Sequence, residues 1–201
     1  MSDAAAVPVR LLTVCTGNIC RSPYAAALLA DGLAWARPGA FDVTSAGTHA
    51  LVGRPVDPGS QRLLEAKDVP VPSTPARLLV AREVEQQALV LVMSDQHRVL
   101  VLDEAPAAHR RTVGLVDLAT ALDTVAAGYS WPDLLADAGA KEVRGRWRAL
   151  PELLAALGAL PSRVTPVLDP VGRGPEVFAR MGAQIDAAVR TVVRWEAQFA
   201  R

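Results

Sequence analysis

Two cysteines, Cys15 and Cys20, stand five positions apart, and Arg21 follows at once. The run Cys15-Thr16-Gly17-Asn18-Ile19-Cys20-Arg21-Ser22 puts a nucleophile at one end of a short loop and a guanidinium at the other. Such a loop can cradle an anion, because successive backbone N–H groups turn inward as a nest. A helix starting directly after it adds partial positive charge. Arg21 can clamp two oxygens of a tetrahedral oxyanion with its planar fork. The same field favours a thiolate, so Cys15 is expected to be an ionised nucleophile beneath a bound phosphorus. Thr16, Gly17, Asn18, Ile19, Cys20, Arg21 and Ser22 would then hold the phosphate. Gly17 lets the backbone approach the anion, and Asn18 tolerates a left-handed conformation. The pattern lacks Gly-Lys-Ser/Thr, so it is not a nucleotide-phosphate loop.

Attack on a phosphate ester expels an alkoxide or phenoxide, which needs a proton. A carboxylic acid must therefore reach the leaving group. Leu168-Asp169-Pro170 offers Asp169, in a loop before the last helix, where it can sit over the cradle. Asp-Pro alone is an ordinary turn signal.

The surrounding elements must bring these groups together. Val9–Val14 is a short β-branched run ending at the Gly- and Asn-containing turn, as a buried strand does. Ser22 is a good N-cap and Pro23 suits the first helical position, so a helix is expected to open there and run to Trp35. Phe41–Ser45 fits a second strand, and Ser60–Ala66 a short helix. Ala88–Met93 is continuously apolar, the mark of a strand buried on both faces of a parallel sheet. Thr112–Val116 is a weaker fourth strand, interrupted by Gly114. Phe178, Met181, Ile185, Ala188, Val189 and Val192 form one stripe of a long final helix. Alternating strands and helices imply a parallel α/β sheet with ligands at the carboxyl ends of the strands. The Cys15–Ser22 turn lies at such an end. Residues 119–164, rich in Ala, Leu, Gly and Pro, suggest two or three short helices inserted before the closing loop and helix.

Composition narrows the function classes. The chain has 201 residues, enough for one domain with its own core, and 51% of them are hydrophobic. Lys+Arg and Asp+Glu both number 21, which argues against a nucleic-acid or membrane-surface binder. Aromatic residues are only 4%, too few for a base-stacking platform. No apolar run reaches the ~18–20 residues of a membrane span. The opening MSDAAAVPVR shows no charged-then-apolar leader, which points to the cytoplasm. In that compartment reactive chemistry suits Cys15 and Cys20 better than a structural disulfide. His49, His97, His109 and two cysteines make a weak zinc set, so no metal or cofactor is expected.

The residues then add up to a family pattern. Val14 to Pro23, Ser45-Ala46-Gly47-Thr48, Val52-Gly53-Arg54 with Pro55 and Asp57, Met93-Ser94-Asp95-Gln96-His97, and Asp169-Pro170 resemble the low-molecular-weight protein tyrosine phosphatase family. The likeness covers residues 8–118 and 165–198. It implies a flavodoxin-like three-layer sandwich with a four-stranded parallel sheet, plus a mainly helical insertion at 119–164 in a single domain of residues 1–201. It implies Cys15 as nucleophile, Arg21 as phosphate and transition-state clamp, and Asp169 as acid then base. Asn18, Ser22 and Ser45 would support the loop. The substrate would be a phosphorylated protein or a small aryl phosphate, cleaved through a phosphocysteine intermediate. Members acting on phosphotyrosine carry aromatic residues where this chain has Ala50, Leu51, Val171 and Gly172. A loop-supporting histidine of many members falls at Thr74.

Two other functions fit parts of this pattern. Arsenate is tetrahedral like phosphate, so an arsenate reductase using an external low-molecular-weight thiol is the alternative; a cysteine relay would need cysteines beyond Cys20. A non-catalytic phosphotyrosine-binding module would not need cysteine, arginine and aspartate together. Asp95 and His97 read as loop supports, and Asp57 as the cap of a turn before Pro58. Arg144, Arg146 and Arg148 read as a solvated face, and Trp131 and Trp147 as anchors of a small core belonging to the insertion. The sequence leaves the oligomeric state open.

Overall fold

Parallel strands need crossovers, and this chain supplies a helix for each. The computed structural model describes residues 7–200; most of the leader reading above falls on residues 1–6, outside that range. The strands are β1 (Val9–Cys15), β2 (Phe41–Gly47), β3 (Leu89–Val92) and β4 (Thr112–Gly114). They form one all-parallel sheet in the order β2-β1-β3-β4. β1 is therefore central, pairing Leu12 with Thr44 on one side and Val90 on the other. Its neighbour β3, Leu-Val-Leu-Val, is buried throughout.

The alternation of side chains splits the core into two faces. Leu11, Leu89, Leu91 and Val113 pack on one face with the helices α1 (Arg21–Ala36), α5 (Leu115–Gly128), α7 (Val143–Ala156) and α8 (Pro175–Ala197). Leu12, Val14, Val90 and Val92 pack on the other, against α3 (Ala81–Glu85), α4 (Asp95–Glu104) and the 3-10 turn Pro106–Arg111. The result is the expected three-layer sandwich. The short α2 (Pro58–Glu65) follows a loop from β2 and is capped by Asp57, whose Oδ1 accepts from the Gly59 amide at 2.7 Å.

The structure departs from the sequence reading in several places. α1 begins at Arg21 with Cys20 as N-cap, so Ser22 lies in the first turn and its hydroxyl is used elsewhere. α4 lacks an apolar stripe and was not anticipated; Ser94 caps it by accepting from the His97 amide. β4 stops at Gly114, two residues before the expected end, and the Asp117 carboxylate lies where a side chain on residue 114 would go. The helices expected at 119–164 start at Leu115, four residues before that boundary, and include α6 (Trp131–Asp137).

These helices have no separate core. Trp147 meets Phe41 of β2 edge-on at 5.2 Å and Trp195 of α8 at 5.4 Å, and Trp131 meets Trp195 at 5.4 Å. All three indoles belong to the same apolar cluster as β1 and β3. Nor is the arginine cluster wholly solvated. Arg144 and Arg148 are exposed, but Arg146 is 2% exposed and pairs with fully buried Glu196. Glu196 also accepts from Trp147 Nε1 at 2.8 Å and from Arg37 Nε at 2.6 Å. Several donors converging on one buried carboxylate satisfy a charge that would otherwise be costly to bury.

Candidate active site

The carboxyl end of central β1 delivers Cys15 to the crest of the sheet, and the chain turns through Thr16–Cys20 into α1. The carbonyls of this loop point outward, toward the segment after β2. Cys15 O accepts from the Thr48 amide at 3.0 Å, Thr16 O from His49 at 3.0 Å, Gly17 O from Leu51 at 3.0 Å and Ile19 O from Asp57 at 2.8 Å. Cys20 O accepts from the Ser60 hydroxyl at 3.3 Å. With its carbonyls held outside, the loop presents its amides to the inside. Those of Thr16 to Cys20 donate to no described protein group. This is the geometry of an anion nest, closed by the start of α1.

Asn18 carries the tightest turn, at φ 55°. Its Nδ2 donates to Ser22 Oγ at 3.0 Å and to Ser45 Oγ at 2.9 Å, while its Oδ1 accepts from the Arg77 amide at 3.0 Å. Ser22 Oγ in turn lies 3.0 Å from Cys15 Sγ. The structure thus brings Cys15, Asn18, Ser22 and Ser45 into one hydrogen-bonded chain. Thr74, by contrast, is exposed and makes no contact with this chain among the described hydrogen bonds.

Arg21 enters from the first turn of α1, with its side chain 6% exposed. Its Nη2 contacts Asp169 Oδ2 at 2.8 Å, and its buried Nε has no hydrogen-bond partner. A buried guanidinium edge beside a ring of inward amides is suited to an oxyanion. Asp169, with a half-exposed side chain, lies in the loop before α8 and also accepts from the Val171 amide at 3.3 Å. That loop is pinned across the sheet crest: Val167 donates to Met93 O at 2.9 Å and Leu168 to Gln184 Oε1 at 2.9 Å.

Supporting residues lie just behind. His97 is buried between Thr16 Oγ1, 2.9 Å from Nε2, and Ser94 Oγ, 3.0 Å from Nδ1. Its pKa is pulled down to about 4, chiefly by burial and then by the Arg21 charge, with Asp169 opposing both. It is a neutral prop for the loop at ordinary pH. Asp95 accepts from the Val164 amide at 3.3 Å. Asp117, which sequence reasoning missed, accepts from the Thr165 amide at 3.0 Å and helps aim the Asp169 loop. Its only sequence signal is an acid in the first turn of a helix. Cys20 is 2% exposed, and its thiol is pushed up to about 12, chiefly by burial and then by Asp57. It is a protonated wall residue.

Gly47 matters where Gly17 does not. A Cβ on Gly17 would meet ordinary contacts, nearest Ile19 Cγ1 at 3.6 Å. A Cβ on Gly47 would strike the Thr16 carbonyl and lie 3.0 Å from the Cβ atoms of Asn18 and Ala50. The close approach of β2 to the cysteine loop therefore requires glycine there.

The model of the family described as "Low molecular weight phosphotyrosine protein phosphatase" matches residues 10–144. The protein-tyrosine-phosphatase Wzb of Salmonella typhi is 37% identical over 97 residues, 48% of this chain and 62% of that enzyme. The match thus spans less than two thirds of such relatives' length. A protein-arginine-phosphatase of Geobacillus stearothermophilus is 32% identical over 117 residues, 58% of this chain and 76% of that protein. Among solved structures, Vibrio vulnificus Wzb in complex with benzylphosphonate is 23% identical, with a TM-score of 0.64 over 94% of this chain and 99% of that one. Asp169 lies beyond the family match, so its place rests on geometry: an ion pair to Arg21 across 148 positions of sequence.

Proposed function

The chain belongs to the low molecular weight phosphotyrosine protein phosphatase family, and from that premise we propose that it is a cysteine-dependent phosphatase for phosphotyrosine and other aryl phosphate monoesters. The observation that carries the reading is the convergence of Cys15 Sγ, the inward amides of Thr16–Cys20, and Arg21 under Asp169. A bound phosphate dianion takes the guanidinium fork and frees Asp169 for the leaving group. Cys15 attacks phosphorus as the thiolate, supported by the Ser22 hydroxyl. Asp169 protonates the departing phenoxide, leaving a phosphocysteine. It then takes a proton from the water that attacks that intermediate, releasing phosphate and the Cys15 thiolate.

Exposed Leu51 stands beside Gly17, and exposed Val171 beside Asp169. These aliphatic walls suit an aryl ring better than a charged guanidinium group. They lack the stacking surface of an aromatic wall, so recognition of the ring rests on contact area. No described helix is long and apolar enough to cross a membrane. A reducing cytoplasm suits the chemistry, since it keeps Cys15 and Cys20 as thiols.

One preparation tests the proposal against its rivals. Hydrolysis of p-nitrophenyl phosphate, a phosphotyrosine peptide and a phosphoarginine peptide is measured beside thiol-dependent arsenate reduction, with Cys15→Ser as control. The aryl esters are expected to turn over and the serine variant to be inactive. Faster release from phosphoarginine, or arsenate reduction without ester hydrolysis, would reject the aryl-phosphate assignment.

A further inference from the structure

At the end of the sheet opposite the Cys15 loop, where β1 and β3 begin, lies a cavity of about 760 Å³. That size falls within the range of small-molecule sites. Its walls come from the starts of these strands, the 3-10 turn and α7 of the insertion. They carry Arg10, Arg110, Arg111, Arg144, Arg148 and His109, against Glu85 and Glu152.

The acids do not neutralise this cluster. Arg110 pairs with Glu152 at 3.1 Å, and Arg10 leans on Asp42 at 3.7 Å. Arg144 and Arg148, one helical turn apart on α7, form no ion pair among the described residues. Arg111 reaches only the Glu85 carbonyl, at 3.5 Å, and its Nε is buried without a hydrogen-bond partner. The exposed, unpaired guanidinium groups of Arg144 and Arg148 are open to an acceptor that arrives from solvent.

We propose that this cavity binds a small polyanion carrying two or more phosphate groups. Guanidinium forks match phosphate oxygens in geometry as well as charge. The arginines converge on a hollow from several elements, which suits a compact ligand over an acidic peptide lying on a flat face. The insertion supplies Arg144 and Arg148, so its helices build a second site as well as extending the core. The proposal is independent of the phosphatase reading, because none of these groups touches the Cys15 loop.

Tripolyphosphate binding, measured by titration calorimetry, tests it. The Cys15 loop can also take this probe, so the Arg21→Ala variant removes that site. Arg21→Ala is expected to retain one equivalent of tripolyphosphate, and adding Arg144→Ala with Arg148→Ala is expected to weaken it tenfold or more. Affinity should fall steeply with salt. Both added positions are exposed and outside the catalytic machinery, so unchanged aryl-phosphate turnover in the Arg144→Ala/Arg148→Ala protein certifies its fold. ATP binding tenfold tighter than tripolyphosphate identifies a nucleotide; equal affinity identifies the phosphate chain alone. Loss of all binding in Arg21→Ala, equal affinity after the arginine replacements, or tighter binding of an oligoglutamate peptide would overturn the proposal.

Discussion

Gly47→Ala and Gly17→Ala form a matched pair that separates backbone fit from loop composition. Gly47 ends β2 opposite Cys15, its amide donating to Arg77 O at 2.9 Å. A methyl there collides with the Thr16 carbonyl, and Asn18 and Ala50 at 3.0 Å block escape to either side. Ordinary van der Waals separation requires the Thr16 carbonyl to retreat by about 1 Å. That carbonyl accepts from His49, and the next amides form the anion nest, so the retreat spoils the cradle itself. A misplacement of ~1 Å in a catalytic constellation can lower rate about 10²-fold, and overpacking lowers stability by roughly 1–3 kcal/mol. Gly17→Ala adds a methyl at ordinary contact distance and needs no special φ, so a loss under about tenfold is expected. The assay is kcat/KM on p-nitrophenyl phosphate, with a thermal midpoint for each variant. If Gly47→Ala keeps wild-type kcat/KM, or if Gly17→Ala is the more damaging of the two, the steric argument fails.

Three further outcomes follow from named contacts. Asp169→Ala should lose about 10²–10⁴-fold on phenyl phosphate and clearly less on an activated ester, since only the poorer leaving group needs the proton; equal losses on both would place the acid elsewhere. His97 has a folded pKa of about 4 against an ordinary 6.5. The unfolded chain therefore binds the extra proton first, and stability is full above pH 6.5 and lost as pH falls from 6.5 toward 4. At ~1.4 kcal/mol per unit this is roughly 3 kcal/mol, read from urea midpoints at several pH values; a His97→Asn protein with the same slope would refute it. Glu196→Ala strands buried Arg146 and removes the acceptor of Trp147 Nε1, so a loss of about 3–5 kcal/mol is expected; a thermal midpoint within a degree of wild type would show that the buried pair contributes little.

The nucleophile and clamp are legible in the sequence because they are local. Cys15 and Arg21 sit on one short loop, and the apolar runs on either side dictate a strand before it and a helix after it. The continuous run at Leu89–Val92 likewise has one placement, since a strand apolar on both faces must lie between layers. Local logic misled where tertiary demand was stronger. Ser22 has a good capping side chain, yet its hydroxyl is worth more beside Cys15 and Asn18, and the helix starts two residues earlier without a side-chain cap. Arg146 shares its spacing and type with Arg144 and Arg148, and only the packing of α7 on α8 selects it for burial against Glu196. The meeting of Arg21 with Asp169, the support of the acid loop by Asp117, and the clasp of Thr48–Asp57 amides around the cysteine loop join residues far apart in the chain. Much of that joinery is backbone, and backbone groups are alike at every residue. Sequence alone therefore determined which groups could do the chemistry; the folded sheet decided which of them meet.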